Sequence, residues 1–137
     1  ARALQHTNRR NVMKTILATA KAPAAIGPYS QGIKSGETLY LSGQLGIDPA
    51  TGKLAEGVGA QTEQSLKNVR SLLAEAGASV EDVVKVTVFI TDMEDFPLVN
   101  AAYSKVFTVN PPARSCVAVK ALPLGGAVEI EVTAVIR

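Results

Sequence analysis

The spacing of apolar residues changes along this chain, and that change restricts the folds open to it. Two stretches repeat at the three- and four-residue spacing of helices: Gly59 to Ala76, and a second from Asp92 to the Pro111-Pro112 pair. Four other stretches, rich in β-branched residues or alternating, predict strands: 38–42, 83–91, 115–120 and 129–136. The order of these segments predicts an α+β fold, a single domain in which two helices cover one face of a mixed sheet.

The last predicted strand shows what the opposite sheet face must do. One side of the strand carries Ile130, Val132, Ala134 and Ile136, and the other carries Glu129, Glu131, Thr133 and Val135. Two helices can cover only one sheet face, and the uncovered face keeps too many valines for contact with water. We therefore expect a homo-oligomer in which this face is buried against another copy of the chain.

Length and charge exclude several classes of protein. The chain has 137 residues, 47% of them hydrophobic, and no apolar run reaches the length of a membrane span. Arg2, Arg9, Arg10 and Lys14 lie in residues 1–14, which contain no acid. Ten basic and twelve acidic residues remain, a net charge near −2. An acidic body with 4% aromatic residues makes nucleic acid an unfavoured partner.

The first fourteen residues form a basic tail that differs from the rest. An Arg-rich, acid-free segment is typical of the end of an organelle transit peptide. The alternative is a disordered basic tail without a targeting role. Either interpretation leaves residues 15–137 as the folded domain.

Cysteine and histidine counts limit the chemistry. Cys116 is the only cysteine, and His6, in the basic tail, is the only histidine. A Ser–His–Asp or Cys–His mechanism is therefore excluded from the body of the chain, as is a zinc site rich in His or Cys. We predict no metal and no cofactor.

The informative polar residues cluster around two strands. Arg114 stands at the entry of an apolar strand, where its guanidinium needs either an internal acid or a bound carboxylate. Glu129 and Glu131 share one strand face, and a structural ion pair or an interface salt bridge is the simpler interpretation of Glu131. Cys116 fits a packed hydrophobe. Asn100 lies on the inward helix face, where its amide must be satisfied by the backbone or by a site.

Five motifs occur in an order that resembles the Rid (YjgF) family, specifically its RidA branch of 2-iminobutanoate/2-iminopropanoate deaminases. They are IGPYSQG (26–32), LSGQ (41–44), NAAYSKVF (100–107), PARSC (112–116) and EIE (129–131). The resemblance covers about residues 15–137 and includes the arginine that separates active deaminases from other branches. Pro111 and Gly125-Gly126 depart from the family pattern, so the pocket rim is not carried over.

The resemblance implies a chorismate-mutase-like fold, a homotrimer and active sites in the clefts between subunits. It assigns the substrate carboxylate to Arg114, with help from the backbone of Gly43 and Cys116. It assigns the attacking water to Glu129. The side chains of Tyr29, Ser42 and Asn100 would shape the pocket.

The implied reaction suits this set of residues. Hydrolysis of a 2-imino acid to a 2-keto acid and ammonia needs a carboxylate anchor, an oriented water and proton transfer. Clearing such imines protects pyridoxal-phosphate enzymes from damage. Two alternatives stay open, a small-carboxylate-binding regulatory module and an RNA-acting translation inhibitor. The basic tail and the resemblance to plant organellar members point to the plastid stroma, with the mitochondrion or cytoplasm as alternatives.

Overall fold

The structure is a computed structural model that describes residues 14–136. The predicted basic tail lies outside the described residues except for Lys14. Within these described residues, eight strands and two α-helices follow in chain order: β1 (Thr15–Leu17), β2 (Gly32–Ser35), β3 (Thr38–Leu45), β4 (Ile47–Asp48), β5 (Lys53–Leu54), α1 (Val58–Glu75), β6 (Val83–Ile90), α2 (Phe96–Tyr103), β7 (Ala113–Ala118) and β8 (Val128–Val135).

Six strands form one mixed sheet, which confirms that part of the prediction. The strand order is β1-β2-β3-β8-β6-β7, and only β6 and β7 run parallel. A long connection containing α2 joins these two strands, as a parallel pair requires. Strands β4 and β5 form a separate hairpin around the predicted turn, where Gly52 has a φ of +74° and donates to the Asp48 carbonyl at 2.8 Å.

Both helices pack on one face of this sheet, as predicted. In β8 the side chains of Val128, Ile130, Val132 and Ala134 are at most 1% exposed. They share one core with Leu66, Val69, Leu72 and Leu73 of α1 and with Val99 and Tyr103 of α2. The alternate β8 residues are half-buried or exposed on what we call the open face of the sheet. Among the described residues, neither helix has the length and hydropathy to cross a membrane.

The second helix is shorter than its sequence predicted. Asp92 does accept from the Glu94 amide, but it caps a 3-10 turn, Met93–Asp95, and α2 follows. The helix ends at Tyr103, well before Pro111. Phe107 continues the apolar stripe because the chain turns there and its ring packs 4.7 Å from the Tyr103 ring. Apolar spacing alone therefore placed the helix end too late.

The sequence also left the start of the sheet unassigned. The short strands β1 and β2, which lie on either side of residues 22–28, are not predicted by the sequence pattern. In β3 the pairing with β8 shifts register between Leu41 and Gln44, which is a β-bulge. The bulge displaces Ser42 and Gly43 from the regular ladder.

Candidate active site

Arg114 is held by an amide and two aromatic rings. It enters β7 opposite Val86, a fully buried residue of β6, so its side chain lies on the helix side of the sheet. Its Nη1 donates to Asn100 Oδ1 at 2.8 Å. The guanidinium carbon lies 4.7 Å from the Tyr103 ring centroid and 5.3 Å from that of Phe96. These are cation–π contacts, which stabilise a positive charge without neutralising it.

No acid neutralises this guanidinium within residues 14–136. The only salt bridge there joins Lys105 to Glu63, at 3.1 Å. The predicted alternative, an Arg114 paired with an internal acid, is therefore not found in the described chain. The Tyr103 hydroxyl beside it is buried and has no hydrogen-bond partner among the same residues. Among the described residues, the half-buried guanidinium has no acid and the buried hydroxyl has no hydrogen-bond partner, and a polar ligand would satisfy both.

Cys116 follows two residues later on the same side of β7. It is half-buried against the core, as predicted for a packed hydrophobe. Burial raises the pKa of the Cys116 thiol, and the positive charge of Arg114 opposes that rise. The group is thus a neutral thiol near pH 7, a poor nucleophile.

Glu129 lies on the open face, at the wall of a cavity of about 700 Å³. Tyr29, Ser42, Gly43 and Glu131 line the same cavity. A Cβ atom at Gly43 would lie 2.8 Å from the Glu129 carboxyl carbon, so only glycine leaves room for this side chain. Ser42 is fixed beside it, because its hydroxyl donates to the Ser30 carbonyl at 2.6 Å.

The electrostatics of Glu129 favour proton transfer. Burial raises the pKa of its carboxyl, and the neighbouring charge of Glu131 raises it further. Between Lys14 and Ile136 no cation lies within salt-bridge distance of either glutamate. A structural ion pair of Glu131 within one chain is therefore not found among the described residues, and an interface salt bridge stays a prediction. A carboxylate with a raised pKa beside a cavity is a candidate general base.

The predicted site residues thus form two groups on opposite faces of the sheet. Asn100, Arg114 and Cys116 form the anchor half, on the helix side. Tyr29, Ser42, Gly43 and Glu129 form the acid–base half, on the open face. The register fixes this separation, since Glu129 pairs with Phe89, and Phe89 and the Arg114 partner Val86 point to opposite faces of β6.

Sequence reasoning missed the aromatic part of the anchor half. The contact of Phe96 and Tyr103 with Arg114 is not predicted, because apolar spacing in a helix indicates only which residues are buried. The signal was present, because Asn100 shares a helix face with both rings. Among residues 14–136, no group of three or more His, Cys, Asp or Glu side chains is placed to hold a metal ion.

Comparison with known proteins decides the family. The family model described as Endoribonuclease L-PSP matches residues 19–136. The chain belongs to this family. The match covers both halves of the candidate site, from Tyr29 to Glu129.

Relatives in this family confirm the resemblance to the RidA branch. A 2-iminobutanoate/2-iminopropanoate deaminase of Salmonella typhimurium is 50% identical over 128 residues, which are 91% of this chain and 100% of that protein. The chloroplastic Reactive Intermediate Deaminase A of Arabidopsis thaliana is 49% identical over 122 residues, 88% of this chain and 65% of that protein. A crystal structure of E. coli TdcF with bound serine is 43% identical, with a TM-score of 0.88, and the match covers 90% of this chain and 100% of that one.

Proposed function

We propose that this protein hydrolyses 2-imino acids, including 2-iminobutanoate and 2-iminopropanoate, to 2-keto acids and ammonia. The observation that carries the proposal is Arg114, a guanidinium held in place by Asn100 and two rings, with no acid among residues 14–136 to neutralise it. Its remaining N–H donors match the two oxygens of a substrate carboxylate. The names of the relatives support the same reaction.

The reaction requires one water molecule and no change in oxidation state. With the carboxylate on Arg114, water attacks the carbon of the protonated C=NH2+ group while Glu129 accepts one of the water's protons. The resulting carbinolamine receives that proton on nitrogen. As the C–N bond breaks, Glu129 takes the hydroxyl proton and passes it to the departing ammonia, so that a 2-keto acid and ammonium are released. General acid–base help of this kind contributes roughly 10²–10⁴ in rate. The raised pKa of Glu129 suits a group that must both take and return a proton.

The separation of the two halves requires a second copy of the chain. Arg114 and Glu129 lie on opposite sheet faces, so a single chain does not bring them to one substrate. We propose that the anchor half of one protomer faces the acid–base half of the next. Such a contact joins two different surfaces of the chain. When it is repeated by rotation about one axis, the protomers close into a ring. The homotrimer implied by the family resemblance is the ring we propose.

The proposed location is the plastid stroma, where this reaction would protect pyridoxal-phosphate enzymes. A chloroplastic relative supports this location. The acid-free composition of residues 1–14 supports their assignment to an import region. The family model begins at residue 19, so the tail stands outside the matched domain. A fluorescent fusion of the full precursor that stays in the cytosol would contradict this location.

The test measures ammonia release from 2-iminobutanoate made in situ by a threonine dehydratase. We expect wild-type protein to accelerate release in metal-chelated buffer and Arg114→Ala to give the uncatalysed rate. Binding of 2-ketobutyrate without imine hydrolysis would indicate a carboxylate-binding regulatory module instead of an enzyme. Cleavage of RNA by the same preparation, lost at high salt, would support the activity in the family's name instead.

A further inference from the structure

Helix α1 carries a row of polar side chains where an apolar face would be expected. Gln61, Ser65 and Asn68 are spaced i, i+4 and i+7, so they lie on one side of the helix. They are 8%, 0% and 1% exposed. We call these three residues the polar row. Burying such groups is costly unless each finds a hydrogen-bond partner.

Every partner of the row on the sheet side is a backbone atom. Gln61 Oε1 accepts from the Ala127 amide at 2.8 Å. Ser65 Oγ donates to the Gln44 carbonyl at 2.6 Å. Asn68 Nδ2 donates to the carbonyls of Leu45, at 3.2 Å, and Ile47, at 2.9 Å. The row therefore binds two segments of main chain, residues 44–47 and the residue before β8.

These two segments carry the acid–base half of the proposed site. Gln44 directly follows Gly43, and Ala127 precedes Glu129 by two residues. The ladder between β3 and β8 is interrupted there by the bulge between Leu41 and Gln44. Gly43 therefore has no paired residue in β8. Its backbone nevertheless lies beside the Glu129 carboxyl. The hydrogen bonds of the polar row supply a support from the opposite side of the sheet.

We propose that Gln61, Ser65 and Asn68 are positioning residues for Glu129. The row holds the bulged end of β3 and the start of β8 to one helix, and so sets the gap between the Gly43 backbone and the Glu129 carboxyl. None of the three touches substrate, and each acts through main chain. The inference rests on the proposed function, because it assigns a step of that reaction to the positioned group.

The first test compares two serines of the same helix. Ser65→Ala removes the bond to Gln44, whereas Ser71→Ala removes a hydroxyl that donates only to Lys67 of α1 itself, at 3.2 Å. We expect Ser65→Ala to lower kcat for imine hydrolysis about tenfold, since small misplacements of a catalytic group cost one to two decades. Its KM and its affinity for 2-ketobutyrate should change much less than kcat, because Arg114, the main anchor of the carboxylate, lies outside the row. Ser71→Ala should keep the wild-type kcat.

The second test exchanges Gln61 for residues of similar length. Gln61→Met removes the acceptor for the Ala127 amide, and Gln61→Glu retains one. The methionine variant should lose kcat, and the glutamate variant should recover most of it. If Ser65→Ala disturbs folding or assembly, as judged by circular dichroism and light scattering, the Gln61 pair decides the question.

The outcomes separate this inference from the function on which it rests. A wild-type protein that does not hydrolyse the imine would contradict the proposed function itself. An active wild type, with Ser65→Ala at wild-type kcat or with equal losses in Gln61→Met and Gln61→Glu, would overturn the positioning role alone. A fall in kcat accompanied by an equal fall in keto-acid affinity would also overturn it, because a general loss of structure would affect both halves.

Discussion

The charge of Arg114 is stabilised by groups that leave it able to bind an anion. An acid at this position would neutralise the guanidinium and compete with substrate. The Asn100 amide takes one N–H, and the rings of Phe96 and Tyr103 accept the positive charge on their faces. A planar guanidinium can stack on an aromatic ring and donate to an amide at the same time, which a compact lysine ammonium cannot do.

Two replacements of Arg114 should therefore show how much of the affinity for a carboxylate depends on charge and how much on hydrogen-bond geometry. Arg114→Lys keeps the charge but loses the paired N–H donors and the stacking on Tyr103. Both Arg114→Lys and Arg114→Ala should weaken 2-ketobutyrate binding, the alanine variant by about 2–5 kcal/mol and the lysine variant by less. Calorimetric titration measures the affinity, and light scattering controls for assembly. Wild-type affinity in Arg114→Ala would refute the anchor.

The raised pKa of Glu129 predicts the acid side of the pH profile. A general base works as a carboxylate, so activity falls as the pH drops through its pKa. Burial is the main cause of the raised pKa and the charge of Glu131 the second. Glu131→Gln should lower the pKa of Glu129 and move the acid limb of kcat to lower pH. Glu129→Gln should abolish most of the turnover and the fall of kcat at low pH. An acid limb that does not move in Glu131→Gln would contradict the assignment.

At the scale of elements, the sequence predicted the features that depend only on residues close together in the chain. Helix α1 and the buried faces of β6 and β8 follow from spacing, because their burial is set by period alone. The bulge in β3 has no such signal, since it depends on the pairing with β8 and on the polar row of α1. The short strands β1 and β2 likewise exist only because they extend a sheet that distant residues build.

The tight contact of Gly46, between β3 and β4, with helix α1 gives a stability prediction. A Cβ at Gly46 would clash with the Gln61 backbone, so Gly46→Ala must push α1 away from this segment. We expect a destabilisation of about 1–3 kcal/mol. Gly59→Ala is the matched control, because its Cβ meets nothing within 4 Å and alanine favours a helix by about 0.5–1 kcal/mol. Urea unfolding at one protein concentration measures both. Equal midpoints for the two variants would show that the approach is not tight.

At the scale of the whole molecule, motifs located the site residues but not their arrangement. The motifs place Arg114 fifteen residues before Glu129, close enough in sequence to seem one cluster. The parallel pairing of β6 and β7 sets β7 at the sheet edge, and the register turns the two side chains to opposite faces. Strand order is a property of the complete chain, so no single motif contains it.

Residues 1–12 of the basic tail should be dispensable for the folded domain. Every described residue of the core and of both halves of the site follows Lys14. Protein starting at Met13 should therefore unfold at the same temperature as the full chain and show the same kcat. Thermal unfolding followed by circular dichroism measures the first quantity. A loss of several degrees on truncation would show that the tail packs on the domain.

Mixing two inactive variants gives the sharpest test of a shared site. Arg114→Ala keeps a sound acid–base half, and Glu129→Gln keeps a sound anchor half. If each site joins halves from two protomers, trimers refolded from an equal mixture contain sites with both native residues. Random assembly in a closed ring makes about one quarter of all sites native, so about a quarter of wild-type ammonia release should return.

The control for that mixture uses the double variant, Arg114→Ala with Glu129→Gln. Mixed with Arg114→Ala, it supplies no arginine to any site and should stay inactive, although the trimers have nearly the same mass. Native mass spectrometry confirms that mixed trimers form in both samples. Mixed trimers of the two single variants that recover no activity would show that no site combines Arg114 of one protomer with Glu129 of another. That result would break the link between the opposite faces of the sheet and a site shared between neighbours.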